Sequence, residues 1–132
     1  MASIEFTIEG SLPGLNEIIA MNRVSSKSNK KRFYAYTEIK RKVEEKIVLS
    51  AMSANRSRSL EPLASFDAHF LWFERNSRRD PDNVAAGVKF IFDALVSCKL
   101  IAGDRFANVR SIHHHFMTSK ENPRVEVELR EI

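Results

Sequence analysis

Residues 63–74, LASFDAHFLWFE, decide the fold because they combine the two-residue period of a strand with apolar side chains on both faces. The even positions from Phe66 to Trp72 are all apolar and predict one buried face. Leu71 and Phe73 on the opposite face indicate that the strand is covered on both sides. We therefore expect the longest strand of the protein here, at a central position in a sheet.

The residues before this strand predict another strand, a loop and a helix. Residues 3–9 alternate apolar and polar side chains, which is typical of a strand. Residues 11–36 contain a Pro-Gly pair and the polar run SSKSNKK, and they predict a long mobile loop. Thr37 then fits the N-cap of a helix over residues 38–54. A loop of such length in a small domain is usually functional or disordered.

The residues after the strand complete the predicted fold. Asp82 fits the N-cap of a helix over residues 83–97, where apolar residues recur at helical spacing. Strands over about 108–117 and 124–130, separated by the turn SKENP, end the chain. The predicted order is β-α-β-α-β-β. We expect a single α+β domain over residues 1–132, with two helices packed on one mixed sheet.

The composition limits the class of protein. Of the 132 residues, 43% are hydrophobic and 29% are charged, as expected for one compact domain. No apolar run reaches the roughly 18–20 residues that span a bilayer, and the N-terminal residues lack a signal-peptide pattern. The single cysteine, Cys98, excludes an internal disulfide and predicts a cytoplasmic protein with a thiol near its core. The absence of a glycine-rich phosphate loop and of a nucleophile elbow predicts no organic cofactor.

Positive charge is concentrated in two segments of a chain whose formal net charge is +4. Residues 23–42 contain eight basic side chains and one acid, and residues 75–79 contain three arginines. Clustered cations suit a polyanion, because each neutralised phosphate releases counterions. A solvated surface loop is the alternative interpretation. The residues that we expect to contact DNA are Arg23, Lys27, Lys30, Lys31, Arg32, Arg75, Arg78 and Arg79.

Three aspartates are candidate metal ligands. Asp80 and Asp82 lie between the central strand and the next helix, and Pro81 biases Asp80 toward an extended conformation. Asp104 follows that helix, and its loop can return it toward the helix or the sheet. Clustered carboxylates repel one another without a cation, and Mg²⁺ prefers oxygen ligands. Such a site suits phosphodiester chemistry, although helix capping and turn formation are the alternative role of Asp80 and Asp82.

Lys89 has two possible roles. It follows Asp82 by seven residues, about two helical turns, so both side chains should project to nearly the same side. Its ammonium would stabilise the charge that develops on a phosphate. An i,i+4 ion pair with Asp93 explains the same spacing. The spacing alone leaves both roles open.

The segment RRDPDN, a helical lysine, the tripeptide DAL and a later aspartate together resemble the core motif of the RusA family. These proteins are phage and bacterial Holliday junction resolvases. Residues 13–16, PGLN, are similar to the family's N-terminal P-x-x-N, and the resemblance spans residues 4–130. It implies a homodimer that nicks four-way DNA junctions symmetrically with Mg²⁺ or Mn²⁺. It also implies that the metal is held by Asp80, Asp82 and Asp104, which act in catalysis together with Lys89. Asn83 and Asn16 would support the site.

Two features depart from the family's pattern. The lysine follows D-x-D-N at an interval that is longer by about one helical turn. Gly103 precedes Asp104 where the family often has an acidic pair.

Two other functions also fit the residues: a metal-dependent nuclease for flaps or forks, and a non-enzymatic DNA-binding protein. His113, His114 and His115 should alternate between the faces of a strand, without the cysteine partners of a zinc site.

Overall fold

The computed structural model describes residues 2–25, 30–56 and 61–132, while the side chains of residues 21–35 lie outside the description. Within these ranges, eight elements follow one another along the chain. They are β1 (Ser3–Glu9), α1 (Leu15–Ser25), α2 (Lys30–Ala54), β2 (Phe66–Glu74), α3 (Pro81–Ala85), α4 (Val88–Ser97), β3 (Val109–Thr118) and β4 (Arg124–Glu131).

A four-stranded sheet in the order β1-β4-β2-β3 forms the centre of the fold. Strand β4 runs antiparallel to β1 and to β2, whereas β2 and β3 are parallel. Parallel neighbours need a crossover connection, and α3 and α4 supply it between β2 and β3. Strand β2 lies inside the sheet, which confirms the central position predicted for it.

The hydrophobic core lies on the face of the sheet that packs against the helices. Phe66, Phe70 and Trp72 of β2 are fully buried on this face, as their alternation predicts. Phe92 of α4 packs edge-on against Phe66 and Phe70, with ring centroids 6.0 and 5.9 Å apart. Burying one such side chain contributes about 1.5–3 kcal/mol. This core anchors the ends of β2 and α4, from which the candidate site residues extend.

The opposite face of β2 is less covered than the sequence predicts. Leu71 and Phe73 are half-buried rather than buried. The guanidinium of Arg124 on the neighbouring strand covers Phe73, with its carbon 3.7 Å from the ring centroid. Apolar side chains on both faces therefore indicated an internal strand correctly, but a cation instead of a second apolar layer covers part of the outer face.

The segment before β2 differs from the sequence prediction. Within the predicted loop of residues 11–36 the chain forms α1 and the start of α2, which begins at Lys30 instead of after Thr37. Glu17 helps to explain the start of α1, because its carboxylate accepts a hydrogen bond from the Gly14 N–H at 3.1 Å. Because Pro, Gly and Ser residues are typical of loops, the sequence of this segment did not indicate the helix that begins directly after Gly14.

The single helix predicted after β2 is also wrong in detail, because the chain forms two helices there. Helix α3 begins at Pro81, so Asp80 and not Asp82 occupies the N-cap position, without a side-chain cap hydrogen bond. The break contains Gly87, where a Cβ atom would lie 3.3 Å from the Trp72 ring. The described residues thus contain four helices instead of two, while the predicted mixed α+β class is confirmed.

Among the described helices, including the 25-residue α2, none combines the length and apolarity that a membrane crossing requires. Cys98 is a free, partly buried thiol at the C-terminal end of α4, as predicted. Burial raises the pKa of this thiol, which disfavours the thiolate that a nucleophilic cysteine needs.

Candidate functional site

Asp80 and Asp82 lie on either side of Pro81 where the turn after β2 enters α3. Asp80 is extended, with φ −68° and ψ 153°, as the proline predicts. Asp82 lies in the first turn of α3, so only one of the two aspartates is in extended chain. Both are exposed, and neither carboxylate makes a hydrogen bond or ion pair with the residues that the structure describes. Two free carboxylates therefore remain available to a cation.

Arg79 fixes the chain immediately before these carboxylates. Its Nε and Nη2 atoms donate to Glu74 Oε1 at 2.9 and 2.7 Å, which closes the turn after β2. Its Nη1 atom donates to the Leu12 carbonyl at 3.0 Å and lies 3.3 Å from Glu17 Oε1. The guanidinium of Arg79 therefore joins the end of β2 to the segment that leads into α1. The expected contact of Arg79 with DNA stays a prediction.

Asn83 fixes the chain immediately after the two carboxylates. Its side chain is only 8% exposed, and its Oδ1 atom accepts a hydrogen bond from the Asn16 N–H at 2.9 Å. Gly14 permits this contact, since a Cβ there would lie 2.5 Å from Asn83 Oδ1 and 2.9 Å from Arg79 Nη1. The two asparagines expected to support the site are therefore brought together. The PGLN segment packs directly on the segment that carries Asp80 and Asp82.

Lys89 and Asp104 form the second part of the candidate site. The Lys89 ammonium lies 3.0 Å from Asp93 Oδ1 and 3.6 Å from Asp104 Oδ2. The ion pair with Asp93 that was one of the two alternatives is thus present, and its hydrogen bond raises the pKa of Lys89. The loop after α4 returns Asp104 to that helix, which is one of the two positions that the sequence left open. The break before α4 means that Asp82 and Lys89 do not share one continuous helical face.

The three aspartates are not assembled into a ready metal centre. No group of three or more His, Cys, Asp or Glu side chains in the described part of the chain has the arrangement of a metal site. Asp80 lines a depression of about 350 Å³ together with Val84 and Phe116. Asp104 lines another depression, of about 300 Å³, with Phe92. The exposed carboxylates of Asp80 and Asp82 fit a hard cation, whereas the Asp104 carboxylate is engaged by Lys89.

The expected DNA-binding residues are only partly within the described side chains. Lys27 lies outside the described residues, and the side chains of Arg23, Lys30, Lys31 and Arg32 also lie outside the description. Farther along α2, Arg41 pairs with Glu38 and, at 2.6 Å, with Glu45, while Lys40 lies 3.8 Å from Glu44. Acids on the same helix therefore offset part of the basic segment.

Arg75 and Arg78 remain the clearest cations beside the carboxylates. Both are exposed in the turn between β2 and Asp80. The backbone N–H of Arg78 donates to Asn76 Oδ1 at 3.0 Å, which fixes the turn. The expected contact of Arg75 and Arg78 with DNA stays a prediction.

The three consecutive histidines alternate between the faces of β3, as predicted. The His113 ring stacks on His69 of β2, with centroids 4.5 Å apart and an interplanar angle of 8°. His114 faces the core, and its Nδ1 accepts a hydrogen bond from Trp72 Nε1 at 2.9 Å. Burial, followed by the charges of His113 and His115, lowers the pKa of His114. These contacts give His113 and His114 structural roles.

Three residues near the candidate site had no clear signal in the sequence. Glu17 contacts both Gly14 and Arg79, but it resembles any acid in the first turn of a helix. Asn108 holds the turn after Asp104, and Phe106 in that turn is fully exposed. The single phenylalanine in the polar segment GDRFAN, residues 103–108, was the only feature of the sequence that could indicate an exposed aromatic ring.

The comparisons with known proteins do not assign this chain to a family. The sequence matches no protein-family model and no curated protein. The function must therefore be inferred from the chemistry of Asp80, Asp82, Lys89 and Asp104 and from the way the fold positions them.

Proposed function

We propose that the protein is a Mg²⁺-dependent, structure-specific endodeoxyribonuclease of the RusA type that resolves four-way DNA junctions. The observation that carries this proposal is the state of Asp80 and Asp82. Both carboxylates are exposed and make no ion pair within the described residues, while Arg79 and Asn83 beside them are fixed by contacts 62 to 67 residues away in sequence. A metal-dependent active site requires unpaired ligand side chains on a segment that tertiary contacts hold in place.

Carboxylate oxygens suit Mg²⁺, which commonly binds one or two carboxylates and keeps several waters. Asp80 and Asp82 would hold the ion, and Mn²⁺ would substitute for it. When bound, the ion supplies activation of water and neutralisation of charge on the phosphodiester. Asp104, the third ligand that the resemblance implies, is held by Lys89 at 3.6 Å. It would therefore contribute to the site together with that ammonium.

Lys89 is suited to stabilise negative charge on the phosphate. Its side chain is 68% exposed, and its ammonium pairs with both Asp93 and Asp104. Hydrogen-bond donors that are positioned before the reaction stabilise a charged transition state without reorganisation. In this proposal Lys89 orients Asp104 and presents a positive charge to the scissile phosphate.

The exposed guanidinium groups of Arg75 and Arg78 would contact phosphates beside Asp80. Phosphate contacts position DNA without reading its sequence, so the shape of the junction should dominate selection. Paired symmetric nicks need two sites, and we propose a homodimer with one site in each subunit. The free Cys98 is in keeping with a cytoplasmic location.

Cleavage of labelled substrates would test this function. A four-way junction, a replication fork and a linear duplex are incubated with Mg²⁺ or with EDTA, using the wild type and Asp82→Asn. Glu121→Gln, an exposed carboxylate in the turn before β4, is the matched control. We expect paired nicks in the junction that require Mg²⁺ and Asp82 and persist in Glu121→Gln. Preferential cleavage of the fork would instead indicate a nuclease for forks or flaps.

A non-enzymatic DNA-binding protein is the second candidate function. The ion pair between Lys89 and Asp104 favours it, because an ammonium can stabilise this acid without a metal. Strongly salt-dependent binding of the junction, without nicking in Mg²⁺ or Mn²⁺, would support this alternative and contradict the proposed nuclease.

A further inference from the structure

Phe106 is the most exposed large hydrophobic side chain in the described part of the protein. Its exposure is 104% of the reference value, whereas the next, Leu49 on α2, reaches 69%. Phe106 follows Asp104 by two residues, in the turn between α4 and β3. An aromatic ring that is fully exposed contributes nothing to the core, so its presence at this position needs another explanation.

The turn that carries Phe106 is held by several hydrogen bonds. The backbone N–H groups of Asn108 and Val109 donate to the Arg105 carbonyl at 2.9 and 3.0 Å. The Asn108 side chain accepts from the Arg105 N–H at 3.1 Å and donates to the Ala64 carbonyl at 2.8 Å. A ring on a fixed turn loses little conformational entropy when it binds a partner. Phe106 is therefore presented to solvent by an ordered backbone.

Two positively charged side chains lie in the same depression as the exposed ring. Arg105 is exposed, and the Arg110 guanidinium is oriented by Asp67, with Nε 3.0 Å and Nη2 2.5 Å from its carboxylate oxygens. Both arginines line the same depression as Phe106 and Asp104. Cations beside an exposed aromatic ring are the combination with which proteins bind single-stranded nucleic acid.

We propose that Phe106 stacks on an unpaired or frayed base of DNA, while Arg105 and Arg110 contact the adjacent phosphates. This inference rests on the proposed nuclease function and adds a residue that distinguishes branched DNA from duplex. Bases within a duplex are already stacked and offer no free face, whereas bases at a branch point can leave the stack. Every base has an aromatic face, so this contact selects DNA structure and not sequence.

Binding measured in EDTA separates this contact from cleavage. The anisotropy of a four-way junction, a single-stranded oligo(dT) and a linear duplex is followed with the wild type, Phe106→Ala and Phe106→Trp. Leu49→Ala is the matched control, because it removes another exposed apolar side chain. We expect Phe106→Ala to weaken binding of the junction and the single strand about tenfold and to leave duplex binding within about twofold. Leu49→Ala and Phe106→Trp should bind like the wild type.

The Phe106→Trp variant gives a second measurement. Trp72, the native tryptophan, is 1% exposed, so a change in emission from an exposed indole on adding oligo(dT) reports on position 106. We expect quenching, as a base stacks on the indole. Equal binding of all three DNAs by Phe106→Ala and wild type, or an equal loss for all three, would overturn the inference. A reduced sedimentation mass of Phe106→Ala with unchanged DNA binding would overturn it too, and would assign the ring to a protein contact.

The two proposals fail in different ways in this experiment. A wild-type protein that binds none of the three DNAs contradicts the proposed function and with it the inference. A wild type that binds and cleaves junctions, with Phe106→Ala indistinguishable from it, contradicts the inference alone.

Discussion

The side-chain carbonyl of Asn83 accepts a hydrogen bond from the backbone N–H of Asn16 at 2.9 Å, across 67 positions of sequence. This bond joins the start of α1 to the start of α3. Together with the contacts of Arg79 to Leu12 and Glu17, it fixes the short segment that exposes Asp80 and Asp82. The segment from Leu12 to Glu17 therefore holds in place the residues on either side of Asp80 and Asp82.

Substitution of Asn83 tests this support. In Asn83→Ala the Asn16 N–H loses its acceptor, and we expect the free energy of unfolding to fall by about 1–3 kcal/mol. Asn83→Asp keeps an acceptor oxygen and should lose less. Urea unfolding measures both variants. An alanine variant as stable as the wild type would show that this hydrogen bond does not hold the two segments together.

Gly103 is required by the turn that follows it. A Cβ at this position would lie 2.6 Å from Asn108 Oδ1, which accepts the Arg105 N–H. We therefore expect Gly103→Asp, which introduces the acidic pair of the RusA pattern, to lower stability by about 1–3 kcal/mol and to leave cleavage no faster. Ala102→Asp, at an exposed neighbouring position, is the control and should change stability by no more than about 0.5 kcal/mol. Faster cleavage by a stably folded Gly103→Asp would contradict this account.

Lys89→Gln separates the structural and catalytic roles of the lysine. Because the ammonium is 68% exposed, we expect its ion pairs to contribute at most about 1 kcal/mol to stability. Loss of a positioned cation should lower the rate of junction cleavage by about 10²–10³-fold, with binding of the junction retained. Single-turnover cleavage and thermal unfolding measure the two effects. A Lys89→Gln variant that cleaves at the wild-type rate would leave the lysine only its ion pairs with Asp93 and Asp104.

Stability should decrease as the pH falls below neutrality because of His114. Burial lowers the pKa of His114 below its ordinary value of 6.5, so the unfolded chain binds this proton more readily than the folded chain. The stabilisation is therefore present above pH 6.5 and is lost as the pH falls from there through the folded pKa. Protonation also removes the acceptor of the Trp72 N–H. His69, whose pKa is lowered by burial and by His113, adds to the same trend.

The variant His114→Gln keeps a hydrogen-bonding side chain that does not titrate. We expect its unfolding free energy to depend less on pH than that of the wild type between about pH 7.5 and about pH 5.5. Glu121→Gln, at an exposed position in the turn before β4, is the control. Equal slopes for the wild type and His114→Gln would mean that His114 does not contribute to acid sensitivity.

Strands β1, β2 and β4 could be predicted because each has an uninterrupted two-residue period of apolar side chains, which β3 lacks. The alternation from Phe66 to Trp72 and the apolar residues of β1 and β4 identified the buried face of the sheet. Helix α1 was missed because Pro13 and Gly14 suggest a turn, while the contacts that stabilise this helix come from Arg79 and Asn83, far along the chain. Local pattern contains no information about such partners.

The candidate site was predictable in its residue types but not in its geometry. The position of Asp80 and Asp82 at the junction of β2 and the next helix followed from the sequence, whereas the return of Asp104 to α4 was one of two alternatives that the sequence left open. The engagement of Asp104 by Lys89, and of Arg79 by Glu74, depends on how the turns close. These turns are fixed by hydrogen bonds to distant backbone groups, for example from Asn108 to the Ala64 carbonyl.

The central claim is that Asp80 serves cleavage and not folding or DNA binding. Its carboxylate makes no hydrogen bond or ion pair with the described residues, so Asp80→Asn should unfold at the same temperature as the wild type. The most direct test measures junction binding in EDTA and junction cleavage in Mg²⁺ for the wild type, Asp80→Asn and Glu121→Gln. We predict that Asp80→Asn binds the junction and makes no paired nicks, while Glu121→Gln does both. Wild-type cleavage by Asp80→Asn, or loss of binding with its fold intact, would contradict the account.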